Sequence, residues 1–216
     1  MNEGIINTAV LVSGGPSLEE VCQDDLDRTG AITMAVNEHA FTHGLYCQQA
    51  VLCDRMPIQP DAALDVIERG DVQCHLRWCT RDETVHGTPV KDLSNVNLFW
   101  SIPNLPPEEY FTNDRYYWGT TTRIHGNKSV VSSLYPSFRL LYEQGVRRIH
   151  LLAFDFHAET MRQEFRFGRM NAKLRELRPV FEDADLTVVN STRDSDLDAF
   201  DFEPLPKGEP VCAWWQ

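Results

Sequence analysis

The apolar, β-branched run at residues 5–13 (IINTAVLVS) is followed without a spacer by Gly14-Gly15-Pro16-Ser17. No other junction constrains this chain as tightly. A run of this kind suits a strand buried on both faces, the situation of a central strand in a parallel sheet. Two glycines then break the strand, and Pro16 fixes its own φ and donates no hydrogen bond. Ser17 with Glu20 three residues on has the form of a capping box. Strand, glycine turn and a helix from Ser17 towards Leu26 are expected in immediate succession.

The same alternation continues. Residues 31–37 (AITMAVN), 50–53 (AVLC), 72–78, 148–154 (RIHLLAF) and 186–190 (LTVVN) read as strands. Helical spacing covers residues 61–69 and residues 130–144, the latter closed by Gly145 and interrupted by Pro136. A basic-faced helix covers residues 164–177 and is expected to stop near Pro179. Residues 82–119 are rich in Pro, Asn, Asp and aromatics without a sustained period, and are expected to be an irregular insertion or lid. Strands alternating with helices predict one α/β domain over residues 1–216, its mostly parallel sheet covered by helices on both faces.

Ligands of such sheets sit beyond the carboxyl ends of the strands. The candidates are therefore Ser13, Gly14, Gly15, Pro16, Ser17, Asn37, Asp54, Asp155, His157, Asn190 and Ser191. A helix N-terminus attracts phosphate, and glycine lets backbone approach it closely. From the tetrapeptide alone, a phosphate site and a tight turn are equally good readings. Asp155 can bind ligand or cap a turn. His157 titrates near neutrality and suits a general base, and His125 beside Gly126 is the second such candidate. Arg162, Arg166 and Arg169 suit a diphosphate clamp, although a run of this kind is more commonly a solvated helix face. The same holds for Asp194, Asp196 and Asp198, where a solvated acidic turn is preferred to a magnesium cluster.

A formal net charge of −12 argues against duplex nucleic acid as partner. No run approaches the ~20 apolar residues of a membrane span, and the first residues lack the layout of a secretory signal, so a cytoplasmic chain is expected. The six cysteines are then expected to be reduced and mostly buried. Cys74, His75, Cys79 and His86 lack the paired C-x-x-C spacing of a structural zinc site.

Taken in order, four segments resemble one Rossmann-like group. VLVSGGPSLEE with AITMAVNEHAF, then residues 125–130 (HGNKSV), then GVRRIHLLAFDFH, then VVNSTRDSDLDAF are similar to the motifs of the Campylobacter-type sialyltransferases and the hydroxymethylpterin pyrophosphokinase-like proteins. The resemblance implies a nucleotide held by the glycine loop, by Asn37 at the ribose or base, by Asn127 and Ser129 at the start of the central helix, and by Asn190 and Ser191. Ala153 stands where the group usually has glycine before the strand-end acid. The sialyltransferases place a catalytic histidine after that strand, and His157 is the residue available there.

These readings point to a nucleotide-dependent transferase, foremost a glycosyltransferase with a nucleotide-sugar donor and a hydroxyl-bearing acceptor. One alternative is diphosphoryl transfer from ATP, with magnesium held by Asp54 and Asp155. The other is a nucleotide-binding protein without catalysis. The oligomeric state is not encoded in any motif.

Overall fold

The computed structural model describes residues 7–54, 59–103, 105–115, 117–119, 121–124 and 128–206. Among them, seven strands form one parallel sheet: β1 Thr8–Val12, β2 Ile32–Val36, β3 Gln49–Leu52, β4 Gln73–Arg77, β5 Val96–Phe99, β6 Arg148–Leu152 and β7 Thr187–Asn190. The helices are α1 Gln23–Asp27, α2 His39–Thr42, α3 Asp61–Glu68, α4 Leu134–Glu143 and α5 Met161–Asp183. The fold is Rossmann-like α/β.

β1 is central because its sequence permits burial on both sides. Ala9, Val10, Leu11 and Val12 are all fully buried, and side chains alternate across a strand. Ala9 and Leu11 join one core with Phe138, Leu141, Leu174 and Phe181 of α4 and α5. Val10 and Val12 join the opposite core with Leu18, Leu26, Ala63, Val66 and Ile67. Each fully buried Val, Leu or Phe contributes roughly 1.5–3 kcal/mol, so a charge anywhere in β1 would damage one core or the other.

The order across the sheet is β7-β6-β1-β2-β3-β4-β5. The chain builds outward from β1 to β5, then returns to add β6 and β7 on the other side of β1. The order therefore reverses between β1 and β6, and a crevice opens beyond the carboxyl ends of that pair. Register there is direct: Thr8 pairs with Arg148 and Val12 with Leu152.

Four elements depart from expectation. The helix expected from Ser17 is a 3-10 turn, Pro16–Glu20, followed separately by α1. Its N-cap is Gly15, so Ser17 and Glu20 form no capping box; the Ser17 hydroxyl is used elsewhere, as described below. The helix expected from residue 130 begins at Leu134, after a short strand Lys128–Val131. That start puts Pro136 in the first turn, where a missing N–H costs nothing. The helix expected to stop near Pro179 runs on to Asp183. Finally, the segment expected to be irregular supplies β5, an edge strand of the sheet, besides a small hairpin pairing Thr84–Val85 with Thr88–Pro89. β5 is only four residues long, which is too short for a periodic signal to stand out.

Cys47, Cys53 and Cys74 are buried, and burial pushes each up to about 12, whereas Cys22 and Cys79 are exposed. Cys74 and His75 are consecutive in β4 and so point to opposite faces of the sheet. Cys212 lies outside the described residues.

Candidate active site

The glycine loop is fastened to β6. Ser13 N–H donates to the Leu152 carbonyl at 2.9 Å, and Gly15 N–H to the Ala153 carbonyl at 2.9 Å. Asp155 completes the clasp, because its Oδ2 accepts from both the Ser17 backbone N–H (3.2 Å) and the Ser17 hydroxyl (2.8 Å). Asp155 is 4% exposed, and these two bonds compensate part of the cost of burying its carboxylate. The glycines are required by this close approach. A Cβ on Gly15 would lie 2.6 Å from the Ala153 carbonyl oxygen, and one on Gly14 would meet the His39 side chain. The donors expected to cradle phosphate at Ser13, Gly15 and Ser17 are thus engaged by the protein itself.

Beside this clasp lies a cleft of about 630 Å³ at the β1/β6 reversal. Pro16, Ser17, Asp155, His157 and Ser191 all line it, so five of the sequence candidates meet there. Arg28 and Arg193 also line it. Phe202, Leu205 and Leu152 supply apolar wall, and Phe202 is 56% exposed.

His157 is the chemically distinctive group. Its Nδ1 lies 2.9 Å from Asp196 Oδ2. With the proton on Nδ1 donated to that carboxylate, Nε2 carries the free lone pair of a base. The Asp196 hydrogen bond raises the His157 pKa, and Asp155 and Asp194 add to the shift. The pair is held from several sides. Asp196 N–H donates to the Asp155 carbonyl at 2.7 Å, and the Ser195 hydroxyl donates to the Phe154 carbonyl at 2.5 Å. From α5, Asn171 Nδ2 donates to the Asp196 carbonyl at 2.9 Å. Asp196 was read from the sequence as part of an acidic turn. Its partner is 39 residues away, and only the fold brings β6 and the segment after β7 together. The nearby Asp198 pairs with Arg175 instead.

Backbone strain collects at the same end of the sheet. Asn37, Ala153, Phe156 and Asp194 have φ of 67°, 59°, 56° and 56°, a region uncommon for residues other than glycine. Ala153 occupies the position where the sequence resemblance leads one to expect glycine, and its backbone has the glycine-like conformation.

Other candidates lie elsewhere on the rim. Asn37 Oδ1 accepts from the Ser133 hydroxyl at 2.7 Å, tying β2 to the start of α4. Asp54, an exposed residue, follows β3. Loss of hydration and then Glu38 raise its pKa, while Arg77 and Arg166 act in the opposite sense. Asp54 and Asp155 follow strands three places apart, roughly 14 Å at the usual spacing, so one magnesium ion does not reach both. Asn190 turns inward, its Nδ2 donating to the Leu197 carbonyl at 3.3 Å. The Ser191 hydroxyl donates to the Glu203 carbonyl at 2.6 Å and faces His150 Nδ1 at 2.9 Å. Arg166 and Arg169 are exposed on α5, as a solvated face would be. His125 and Asn127 lie outside the described residues, and of Ser129 only the backbone is described, in the strand Lys128–Val131. Among the described residues no group of three or more His, Cys, Asp or Glu side chains is arranged to hold a metal ion, and no helix is long and apolar enough to cross a membrane.

No family model matches the sequence, and no curated protein matches it. In fold the chain is similar to the MAf glycosyltransferase from Magnetospirillum magneticum AMB-1, with a TM-score of 0.56 and 15% identity. The superposition covers 95% of this chain and 34% of that one, so the chain spans about a third of its neighbour's length. At that identity the likeness is one of architecture.

Proposed function

We propose that the chain is a glycosyltransferase that takes a nucleotide sugar in the cleft and uses His157 to activate a hydroxyl of the acceptor. The observation that carries the reading is the His157–Asp196 pair on the cleft wall. A carboxylate on Nδ1 fixes the imidazole tautomer and stabilises the imidazolium that forms when Nε2 takes a proton. The acceptor oxygen then attacks the anomeric carbon of the donor, and the bond from that carbon to the phosphate oxygen breaks. Negative charge grows on the departing phosphate, where Arg28 and Arg193 compensate it. Phe202 offers an aromatic face to the nucleobase.

Support also comes from the position of the cleft, at the order reversal of a parallel sheet, and from a glycosyltransferase sharing the architecture. Asp155 has a positioning role in this scheme, since its carboxylate holds the glycine loop.

A thermal-stability panel of nucleotide sugars and free nucleotides, each with magnesium and with chelator, tests the donor half. A ligand at 100 times its dissociation constant adds ~2.7 kcal/mol, or several degrees for a chain of this size. The expected result is a chelator-resistant shift with one nucleotide sugar that shrinks in Arg193→Ala. Absence of a shift with every member sinks the reading. A shift without turnover on any hydroxyl acceptor would leave a nucleotide-binding protein.

A further inference from the structure

Asn171 lies inside α5 and is 8% exposed. Local preference does not put it there: asparagine is a weak helix former, and a buried amide is costly unless its hydrogen bonds are met. They are met by the segment that follows β7. Nδ2 donates to the Asp196 carbonyl at 2.9 Å, and Oδ1 accepts from the Asp198 N–H at 3.3 Å. The amide thus bridges the peptide groups on either side of Leu197, whose side chain is buried in the core. The remaining peptide groups of this stretch are held as well. Asp196 N–H donates to the Asp155 carbonyl, Leu197 N–H donates to the Ser195 hydroxyl at 3.0 Å, and the Leu197 carbonyl accepts from Asn190. The functional side chains are the loose part by comparison. His157 and Asp196 are 45% and 66% exposed, so packing does little to fix their rotamers. An exposed pair gains little by itself, because ordering two side chains offsets much of a screened attraction. The carboxylate stays 2.9 Å from Nδ1 because of the backbone that carries it.

We propose that Asn171 is the positioning residue of this pair: by fixing the backbone of Asp196 it holds the carboxylate on His157 Nδ1, and so fixes the tautomer and direction of the imidazole. The contacts from Asp155 and Ser195 join Asp196 to the end of β6, the same stretch that carries His157. Asn171 ties it instead to α5, which Leu174, Leu177 and Phe181 anchor in the core. The charged groups facing His157 are Asp196 and Asp194 from the segment after β7 and Asp155 from the end of β6. Arg28 and Arg193 also line the cleft. Asn171 carries no charge, so its replacement by alanine alters this field only by releasing Asp196. That the pair serves as a base rests on the glycosyl-transfer reading above; its positioning by Asn171 does not.

The test follows His157 by NMR titration of the full chain, its imidazole signals assigned by their loss in His157→Ala. Wild type, Asn171→Ala, Asp196→Asn and the double variant are compared. Asn171→Ala should lower the His157 pKa by half or more of the drop that Asp196→Asn causes, and should add nothing in the Asp196→Asn background. The signals of His75 and His150, buried in the sheet, report in the same spectra whether the fold is intact. If Asn171→Ala does not fold, the smaller change Asn171→Ser is read in its place. An unmoved His157 pKa in a folded Asn171 variant overturns the proposal, and so do equal drops in the two backgrounds. Loss of the fold in both variants would make the amide a part of the core and overturn it as well. Where transfer is measured, Asn171→Ala should lower kcat roughly tenfold with KM within about threefold of wild type, and the rise in activity should move to lower pH together with the titration. Coupled titration in a chain that transfers to no acceptor would sink the base reading and leave the positioning standing.

Discussion

A Cβ on Gly15 would lie 2.6 Å from the Ala153 carbonyl oxygen and 2.9 Å from Asp155 Cγ, and neither neighbour can retreat without breaking the clasp. Gly15→Ala should therefore cost about 2 kcal/mol or more in urea denaturation, a magnitude typical of a strained, unsatisfied buried site. A cost below ~0.5 kcal/mol would mean that the loop and β6 are not held as described. The same contact gives Gly15 a structural reason to be glycine, as the His39 side chain does for Gly14. At His157 the prediction concerns protons. Asp196 raises the pKa, so the base form of His157 accumulates only as pH rises above the ordinary imidazole value of 6.5. Transfer activity limited by this base should climb through that raised pKa. In Asp196→Asn the rise should move to lower pH, with a lower plateau because the imidazolium loses its partner. The plateau loss expected for a base without its orienting carboxylate is on the order of 10²-fold or more. An unmoved profile would remove Asp196 from the mechanism.

Within elements, local signals and tertiary contacts pull in different directions, and α5 shows which wins. Pro179 sits inside Met161–Asp183 and is exposed, so its ring gains nothing from packing. It also leaves one carbonyl of the preceding turn without its N–H donor. The helix continues because Phe181, 1% exposed, packs against Phe138 at 5.0 Å and Tyr110 at 5.5 Å. Pro179→Ala should restore the missing bond and raise stability by about 1 kcal/mol, part of the helix gain being offset by greater freedom of the unfolded chain. Phe181→Ala should lower it by about 3–5 kcal/mol. If Pro179→Ala destabilises the fold, the proline is shaping a bend that the core needs. This contrast also marks what the sequence could tell. Six of the seven strands of the central sheet were legible because apolar runs announce burial, and β1 and β6 appear where expected, whereas the short edge strand β5 did not stand out. The rest depends on distant contacts. The length of α5 is set by Phe181, the use of Ser17 by a carboxylate 138 residues away, and the identity of Asp196 as a partner by a loop closing over β6. His157 and Ser191 could be placed at strand ends from the sequence, whereas Arg28 and Phe202 carry no motif and Arg193, within the segment VVNSTRDSDLDAF, was not singled out. Only the fold makes them neighbours.

At the scale of the whole molecule, two histidines bury neutral rings in the sheet, and they make the fold sensitive to acid. His75 in β4 is 3% exposed and His150 in β6 is 1% exposed. His75 Nε2 lies 2.9 Å from Gln49 Oε1, and Gln49 also pairs with Gln144 at the end of α4, so the ring joins β3, β4 and α4. Burial pushes the His75 pKa down to about 4, and lowers that of His150, with Arg148 adding to the effect. The sign follows from which state takes the proton. Between the unfolded value near 6.5 and the folded value near 4, the unfolded chain binds protons that the folded one refuses, so stability falls as pH falls through that window. For His75 alone the full span amounts to on the order of 3 kcal/mol. A competing effect has the opposite sign, since acid relieves the self-repulsion of a chain with formal net charge −12. Those charges are mostly exposed and screened, so the buried rings should prevail. Urea denaturation at pH 7 and at pH 4.5 should therefore show a marked loss in wild type. His75→Leu removes the titrating group, and with Gln49 still paired to Gln144 the loss should be clearly smaller. Equal losses in the two proteins would show that His75 is already accessible to protons in the folded state, and that the layer joining β3, β4 and α4 opens more readily than its burial implies.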